Sequence, residues 1–403
     1  MWSNTLISIS IILLFLFMFP LGYLLLLAIG AARTKTKPRT IHRSPSTQFM
    51  IVIPAHNESN VIRSTIESLH RLDYPSQLFS IHIVADHCTD ETTKAARLAG
   101  AIVHERNEGP RTGKGAALSW LFQMILEKEH CDAVIIFDAD TRVDPKFLRV
   151  MDWRLAQGDQ VIQGQHVISN PNQGWFPALI WAMFLIDNRF QNLGRQNLGW
   201  SAKNMGDSIC FRVDILRQLG WGAGLTDDYQ MRQRLLLKGI LITYEPAAIG
   251  YGEAPQNWGL ARPQRARWLR GTRDASQQFV IPLLAEGLKR RNLAMVDGAL
   301  QGLFPSYSTQ SVLSLSVLMI LVPINYFIKS ASLWVLIGAW AVVVGTLLIY
   351  PLVGLALESA PIKAYLAIIL GPFFILWRTW LAILAQFGKK RVTWVRTEHG
   401  KLK

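Results

Sequence analysis

Residues 48–58 read Gln48-Phe-Met-Ile-Val-Ile-Pro-Ala-His-Asn-Glu58. An apolar, β-branched-rich run that stops at a proline and a polar cluster is the pattern of a short strand buried on both faces. The pattern recurs downstream. Phe49–Ile53, Ile81–Ala85, Ala101–His104 and Ala133–Phe137 read as strands, and Asn60–His70, Glu91–Leu98 and Gly115–Leu126 as the helices between them. Strict alternation of strand and helix implies an α/β fold: a mostly parallel sheet with helices on both faces, binding ligands beyond the carboxyl ends of its strands.

Polar clusters lie at those ends. Pro54, His56, Asn57 and Glu58 follow the first strand, Asp86-His-Cys-Thr-Asp90 the second, and Asp138-Ala-Asp140 the fourth. Asp90 reads as a cap of the helix that follows it. Asp138 and Asp140 read differently, because two carboxylates one residue apart at a strand end repel unless a cation sits between them. Mg or Mn held by such a pair keeps positions open for phosphate oxygens, which points to a nucleotide donor. The nearby Gly109-Pro-Arg-Thr-Gly-Lys-Gly115 is not the phosphate loop of ATPases: its glycine spacing is one short, and Gly115 stands where the metal-binding Ser or Thr belongs. Its glycines and Lys114 either approach a nucleotide or form a basic surface turn.

Two later motifs add chemistry. Leu225-Thr-Asp227-Asp228-Tyr229 opens an amphipathic stretch running to Lys238, so a carboxylate at its start either caps a helix or abstracts a proton. In Gln264-Arg-Ala-Arg-Trp268 the i, i+3, i+4 spacing puts Gln264, Arg267 and Trp268 on one helical face. A guanidinium suits a diphosphate and an indole face suits a sugar ring. The plainer reading of Arg262, Arg265 and Arg270 is a basic helix at a membrane surface.

Composition adds the membrane. Half the 403 residues are hydrophobic, only 17% are charged, and 42 Lys and Arg against 28 Asp and Glu give a net charge of +14. Disordered, collagenous and disulfide-rich designs are excluded, and Cys88, Cys131 and Cys210 are too scattered for a zinc site. Leu6–Ile29 is free of charge and as a helix would reach about 36 Å, enough to cross a bilayer. Val312–Ile328 and Leu333–Leu357 are also uncharged and long enough to span, whereas Ala364–Trp377 stops short at Arg378. Arg33–Arg43 and Lys389–Lys403 together carry eleven basic residues against one acid, Glu398, which accounts for ten of the net charges. The positive-inside rule then sets the N-terminus outside and the soluble block in the cytoplasm. It also favours three full spans with Ala364–Phe387 interfacial or re-entrant, since a fourth full span would carry the basic tail outward. Because the charge gathers beside spans, nucleic acid is not expected as a partner.

The ordered set Val52-Ile-Pro-Ala-His-Asn-Glu58, Asp86, Asp138-Ala-Asp140, Thr226-Asp-Asp228 and Gln264-Arg-Ala-Arg-Trp268 resembles that of the membrane-bound family 2 glycosyltransferases, the group containing cellulose, hyaluronan and poly-N-acetylglucosamine synthases. The resemblance covers about residues 48–271 and implies a GT-A fold and a nucleotide-sugar donor, UDP-linked by preference, with inversion at the anomeric carbon. It implies donor or acceptor binding by Pro54, His56, Asn57, Glu58, Asp86, Asp138, Gln264, Arg267 and Trp268, to which the glycine-rich loop adds Lys114 as a candidate. Asp86 would meet the donor base, Asp138 and Asp140 the sugar diphosphate and its Mg or Mn, and Arg267 the diphosphate. Trp268 would stack under the acceptor, and Asp228 would be the general base. Asp227 replaces the family's usual Glu, and Asn204–Phe211 departs from its Gly-Asn-Gly-rich form.

The organisation expected is a membrane helix over 1–32, a basic cytoplasmic linker over 33–47, the catalytic domain over 48–271 and an interfacial segment over 272–310. Membrane or interfacial helices over 311–388 and a basic tail over 389–403 complete it. The expected activity is elongation of a polysaccharide at the cytoplasmic face of the plasma (inner) membrane, with a second copy or an export partner supplying any missing channel. The alternative is transfer of one sugar to a lipid, as in ceramide glucosyltransferases. A non-catalytic receptor for nucleotide sugars or polyanions is the reading from a different class, and it leaves Asp228 without a use.

Overall fold

A computed structural model describes residues 2–32, 43–222 and 224–387. The basic stretch 33–42 and the tail 388–403 lie outside the described residues.

The first helix, α1 (Trp2–Ala32), leads to β1 (Phe49–Ala55). Then come α2 (Ile62–Leu69), β2 (Phe79–Asp86), α3 (Thr92–Leu98), β3 (Ile102–Arg106), α4 (Lys114–Ile125) and β4 (Ala133–Ile136). The second half of the sheet is β5 (Arg142–Val143), α5 (Phe147–Ala156), β6 (Val161–Ile168), α6 (Trp175–Asp187), a π-helical stretch (Asn188–Gly194) with one further turn α7 (Arg195–Asn197), and β7 (Ile209–Arg212). It closes with α8 (Val213–Leu219), α9 (Asp227–Leu237) and β8 (Ile242–Gly252). The eight strands lie in the order β3-β2-β1-β4-β7-β6-β8-β5. Pairs β1–β2, β1–β4, β2–β3 and β6–β8 are parallel, and β4–β7, β6–β7 and β5–β8 antiparallel.

The strands are continuous apolar runs because both faces are covered. Phe49, Ile51, Ile53, Ile83 and Ile135 face α2 and α5 through Ile62, Ile66 and Met151. The alternate residues Met50, Val52, Val84 and Ile136 pack on Leu118, Leu121 and Phe122 of α4 and on Met231 and Leu235 of α9.

Beyond the sheet, α10 (Trp258–Lys289) is capped by the Asn257 side chain, which accepts from Leu260 N. It runs unbroken through residue 271, so the boundary expected there falls inside one helix. The helices α11 (Leu293–Leu303), α12 (Tyr307–Ile328) and α13 (Ala331–Leu357) follow. Residues 7–32, 307–328 and 331–357 are long and apolar enough to cross a membrane. They pack on one another around Trp340, Val343 and Leu347, with Trp340 Nε1 donating to Ser10 Oγ at 3.1 Å. The fourth apolar segment is two helices, α14 (Ile362–Ile368) and α15 (Gly371–Phe387), bent by 50° at the break. Pro372 lies there, where its ring removes a backbone donor. Inward, Phe374 and Trp377 of α15 join Phe176 and Trp258, while Phe373, Leu376 and Trp380 are exposed.

One buried ion cluster ties these helices to the sheet domain. Asp297 of α11 accepts from Arg195 Nε at 3.0 Å, Arg232 Nη2 at 2.9 Å and the Tyr23 hydroxyl of α1 at 2.7 Å. Removing the acid would strand two buried guanidinium groups, a loss of about 3–5 kcal/mol. Asp297→Ala should therefore lower the unfolding temperature in detergent markedly, whereas Asp214→Ala, whose carboxylate is exposed, should not.

Candidate active site

The strand ends, the start of α9 and one face of α10 enclose a cavity of about 1340 Å3. Pro54, His56, Glu58, Asp86, Lys114, Asp138, Asp140, Asp228, Gln264, Arg267 and Trp268 all line it. Asn57 is not among the lining residues. Its backbone takes a left-handed turn (φ 56°), and its side-chain oxygen accepts from Thr89 N at 2.8 Å, bracing the turn after β2. Asp90 is a local brace, as its helix-cap reading implies, accepting from Thr92 N and Ser59 N.

Asp86 sits at the end of β2, where Arg106 donates to its Oδ1 at 2.5 Å and His87 bonds the same oxygen at 2.9 Å. Lys114 begins α4, and its ammonium donates to Asp138 at 2.5 Å and to the Gly206 carbonyl. The reading of a basic surface turn is thereby replaced for Lys114 by an ion pair inside the cavity. Gly115 explains how α4 comes so close: a Cβ there would lie 2.6 Å from Gly222 O and 2.9 Å from Asp227 Cβ.

The aspartates around Asp138 and Asp228 are in different states. Asp207 is saturated, accepting from Asp138 N, Thr141 Oγ1, Ser208 Oγ and His166 Nδ1. Burial alone would raise its pKa, but the His166 bond and charge hold it below the usual carboxylate range. The same pairing raises His166 against the downward pull of burial. Asp140 is pushed up to about 7 by burial and then by Asp138 and Asp207. Asp227 is buried and accepts from Trp221 Nε1 at 2.8 Å. Asp228 faces the cavity and is raised to about 6, first by burial and then by Asp227, with Lys114 and Arg267 opposing. Gly206, at φ 77°, lets the chain pass beside it, since a Cβ would lie 3.2 Å from Asp228 Oδ2.

The α10 face matches its helical spacing and is docked by a direct bond: Arg267 Nη1 donates to Leu225 O at 3.0 Å, immediately before Thr226-Asp-Asp228. Gly271 admits this approach, because a Cβ would lie 2.6 Å from Thr226 Cγ2. Arg265 is not at the outer surface as its motif suggests. It lines the cavity with its guanidinium 4.7 Å from the Trp268 ring centre.

Sequence reasoning missed His166 and Asp207. The Gly206-Asp-Ser208 turn was the available signal, but nothing in the sequence linked it to a histidine on another strand. The donor set suits a hard divalent ion: Asp138 and Asp140 are carboxylates at one strand end, and the crowding that raises Asp140 is what a cation relieves. His82, His104 and Glu129 also bring ligand-type atoms within 4.8 Å of one another, but none lines the cavity.

These features define a GT-A-type glycosyltransferase. A solved mannosyltransferase from Pyrobaculum calidifontis, in complex with GDP-Man and Mn2+, shares the fold with a TM-score of 0.53 at 16% identity, over 86% of this chain and 98% of that one. The family model "Glycosyltransferase like family 2" matches residues 45–271, more than half of the chain, and the protein belongs to that family. A probable glycosyltransferase, YdaM, of Bacillus subtilis is 27% identical over 262 residues, covering 60% of this chain and 59% of its own. The beta-monoglucosyldiacylglycerol synthase of Synechocystis is 27% identical over 238 residues, covering 56% and 48%. A cellulose synthase catalytic subunit also matches, at 26% identity. The chain spans about half the length of the curated relatives it matches.

Gly115→Ala should displace Gly222 and the start of α9, which carries Asp227 and Asp228. A shift approaching 1 Å at reacting groups can cost up to about 100-fold. Sugar transfer by G115A should fall by about tenfold or more, while Gly338→Ala, with nothing within 4 Å of the added carbon, should be neutral.

Proposed function

We propose that the protein is a metal-dependent, inverting glycosyltransferase that moves a sugar from a nucleotide-sugar donor to an acceptor borne on a membrane lipid, at the cytoplasmic face of the plasma (inner) membrane. One observation carries the choice of acceptor. The cavity lined by Asp138, Asp140 and Asp228 is also lined by Tyr23 and Leu24 of α1, by Leu303 at the end of α11, by Phe304 after it and by Tyr307 at the start of α12. An acceptor hydroxyl can thus reach the acids while its lipid stays among apolar helices. Elongation of a polysaccharide, the activity expected from the motif set, would need an exit path. The three spans close on Trp340, Val343 and Leu347, so that path would have to come from a second copy or an export partner.

In the reaction, Asp228 takes the proton of the acceptor hydroxyl as its oxygen attacks the anomeric carbon. The bond from that carbon to the diphosphate oxygen breaks on the opposite face, and the nucleoside diphosphate leaves with the electron pair. A single displacement of this kind inverts the anomeric centre. Asp86 orients the donor base, Asp138 and Asp140 hold the cation, and Arg267 and Lys114 bring positive charge to the departing diphosphate. The divalent ion, when bound, neutralises charge on that diphosphate.

With vesicle-reconstituted protein, radiolabelled UDP- and GDP-sugars and Mg or Mn, the labelled product should extract into organic solvent. A long water-soluble polymer as the main product would overturn the lipid-acceptor reading. Asp228→Asn should reduce transfer by about 10²- to 10⁴-fold while donor binding persists. The base must be ionised, so transfer should level off about one pH unit above 6 and fall as pH drops through about 6, the value to which Asp228 is raised. Asp140→Ala should lose metal-dependent donor binding, measured by calorimetry with and without Mn. Unchanged binding in that variant would count against the metal role.

A further inference from the structure

The lining of the cavity also holds a second group of charges that sugar transfer as described does not use. Arg265 of α10, Lys203 and Arg378 of α15 line it, together with Asp187 at the end of α6. Lys203 Nζ donates to both oxygens of Asp187, at 2.8 and 3.0 Å. Asp187 is the acid whose field reaches both Arg265 and Arg378, so three cations share one carboxylate that is already bonded. The Nε of Arg265 is buried without a hydrogen-bond partner among the described residues. Its guanidinium lies against the rings of Trp268 and Phe374, at 4.7 and 5.9 Å. Burial first, and then Arg378, depress its pKa to about 9. Burial likewise lowers Lys203 despite Asp187. The cluster is short of negative charge.

This group is separate from the one at the donor site. Residues two apart on a helix point about 200° apart, so Arg265 and Arg267 face different neighbours. Arg267 bonds Leu225 O and faces Asp227 and Asp228, whereas Arg265 faces Phe374 and Arg378 of α15. The place of Arg378 is informative. It interrupts an otherwise apolar helix whose outer residues Phe373, Leu376, Trp380 and Ile383 are exposed, and it is turned into the cavity. A charge carried into an apolar segment and aimed at a cavity is costly unless it meets a counter-charge there.

We propose that Arg265, Arg378 and Lys203 form an acceptor subsite for the phosphate of a membrane-lipid headgroup, so that the preferred acceptor is an anionic phospholipid bearing a free hydroxyl. The proposal rests on the lipid-acceptor reading above and narrows it. Planar guanidinium forks match phosphate oxygens, and α15, which carries Arg378, also carries the exposed apolar residues Phe373, Leu376 and Trp380 that suit contact with lipid. Fixing that phosphate would leave the neighbouring headgroup hydroxyl to reach Asp228.

The test uses full-length protein in phosphatidylcholine vesicles that carry either diacylglycerol or phosphatidylglycerol, both with a free hydroxyl, and a soluble arm with glycerol 3-phosphate. Labelled sugar should pass from its nucleotide donor to phosphatidylglycerol roughly tenfold or more faster than to diacylglycerol, the scale of one hydrogen bond to a charged group. In Arg265→Gln and Arg378→Gln that ratio should fall towards one, and Arg378→Lys, which keeps the charge but not the planar fork, should restore part of it. A general loss of fold would lower both arms together and leave the ratio unmoved, which would overturn the subsite. Transfer to diacylglycerol at an equal or higher rate would also overturn the subsite while leaving the lipid-acceptor reading intact. Equal transfer to glycerol 3-phosphate would overturn the lipid source of the phosphate. Labelled lipid in neither vesicle would overturn the broader reading and this one with it.

Discussion

The fold depends on a buried charge that cannot be moved without moving four elements. Asp297 is wholly buried between Arg195 and Arg232, with the Tyr23 hydroxyl on its Oδ1. Apolar packing tolerates sliding, whereas these bonds have fixed lengths and directions, and breaking one leaves an uncompensated charge. Arg232 stands one helical turn after Asp228 on α9, so the helix that presents Asp228 to the cavity is held by the same acid that receives a bond from α1. The apolar helix α1 and the Asp228 carboxylate are therefore held in register with each other.

Within the cavity, the same residue type is put to different uses by environment alone. Asp207 is saturated with donors, Asp227 is pinned by the Trp221 indole, and Asp138 is paired with Lys114. Asp140 and Asp228 are the two whose charge is least compensated, at about 7 and about 6. Carboxylates whose environments set their proton affinities apart can divide labour, one set holding charge and one moving a proton. The asymmetry between Asp227 and Asp228 comes from neighbours: the tryptophan takes the first, while Gly206 opens room around the second.

The first half of the sheet was legible because both of its faces are buried. Runs such as Phe49–Ile53 have no polar interruption, and their ends carry the polar clusters. The second half was not. β6 reads Val-Ile-Gln-Gly-Gln-His-Val-Ile, because its middle residues serve the site, with Gln163 bonding the Asp207 carbonyl and His166 the Asp207 carboxylate. β5 is only two residues long, and the π-helical Asn188–Gly194 has no period of its own to detect. The site motifs were legible as separate clusters, and their spacing correctly put Gln264, Arg267 and Trp268 on one face. The roles of Lys114 and Asn57 were not legible, since which of two polar neighbours turns inward depends on tertiary partners: Asp138 for one and Thr89 for the other.

Residue 271, the expected end of the catalytic domain and the end of the family match, lies inside one long helix. Over 32 residues α10 extends about 48 Å. It carries Gln264, Arg267 and Trp268 near one end, and Val280 and Ile281 farther along on the same cavity wall. Small residues at Gly271, Ala275 and Gly287 let it lie close against its neighbours, with Gly271 meeting Thr226 and Gly287 meeting Met295 and Val296. A break in this helix at residue 271 would separate the wall carrying Gln264, Arg267 and Trp268 from the wall carrying Val280 and Ile281. Its continuity is what makes one cavity of two chemical environments, polar at the strand ends and apolar beside α1 and α12.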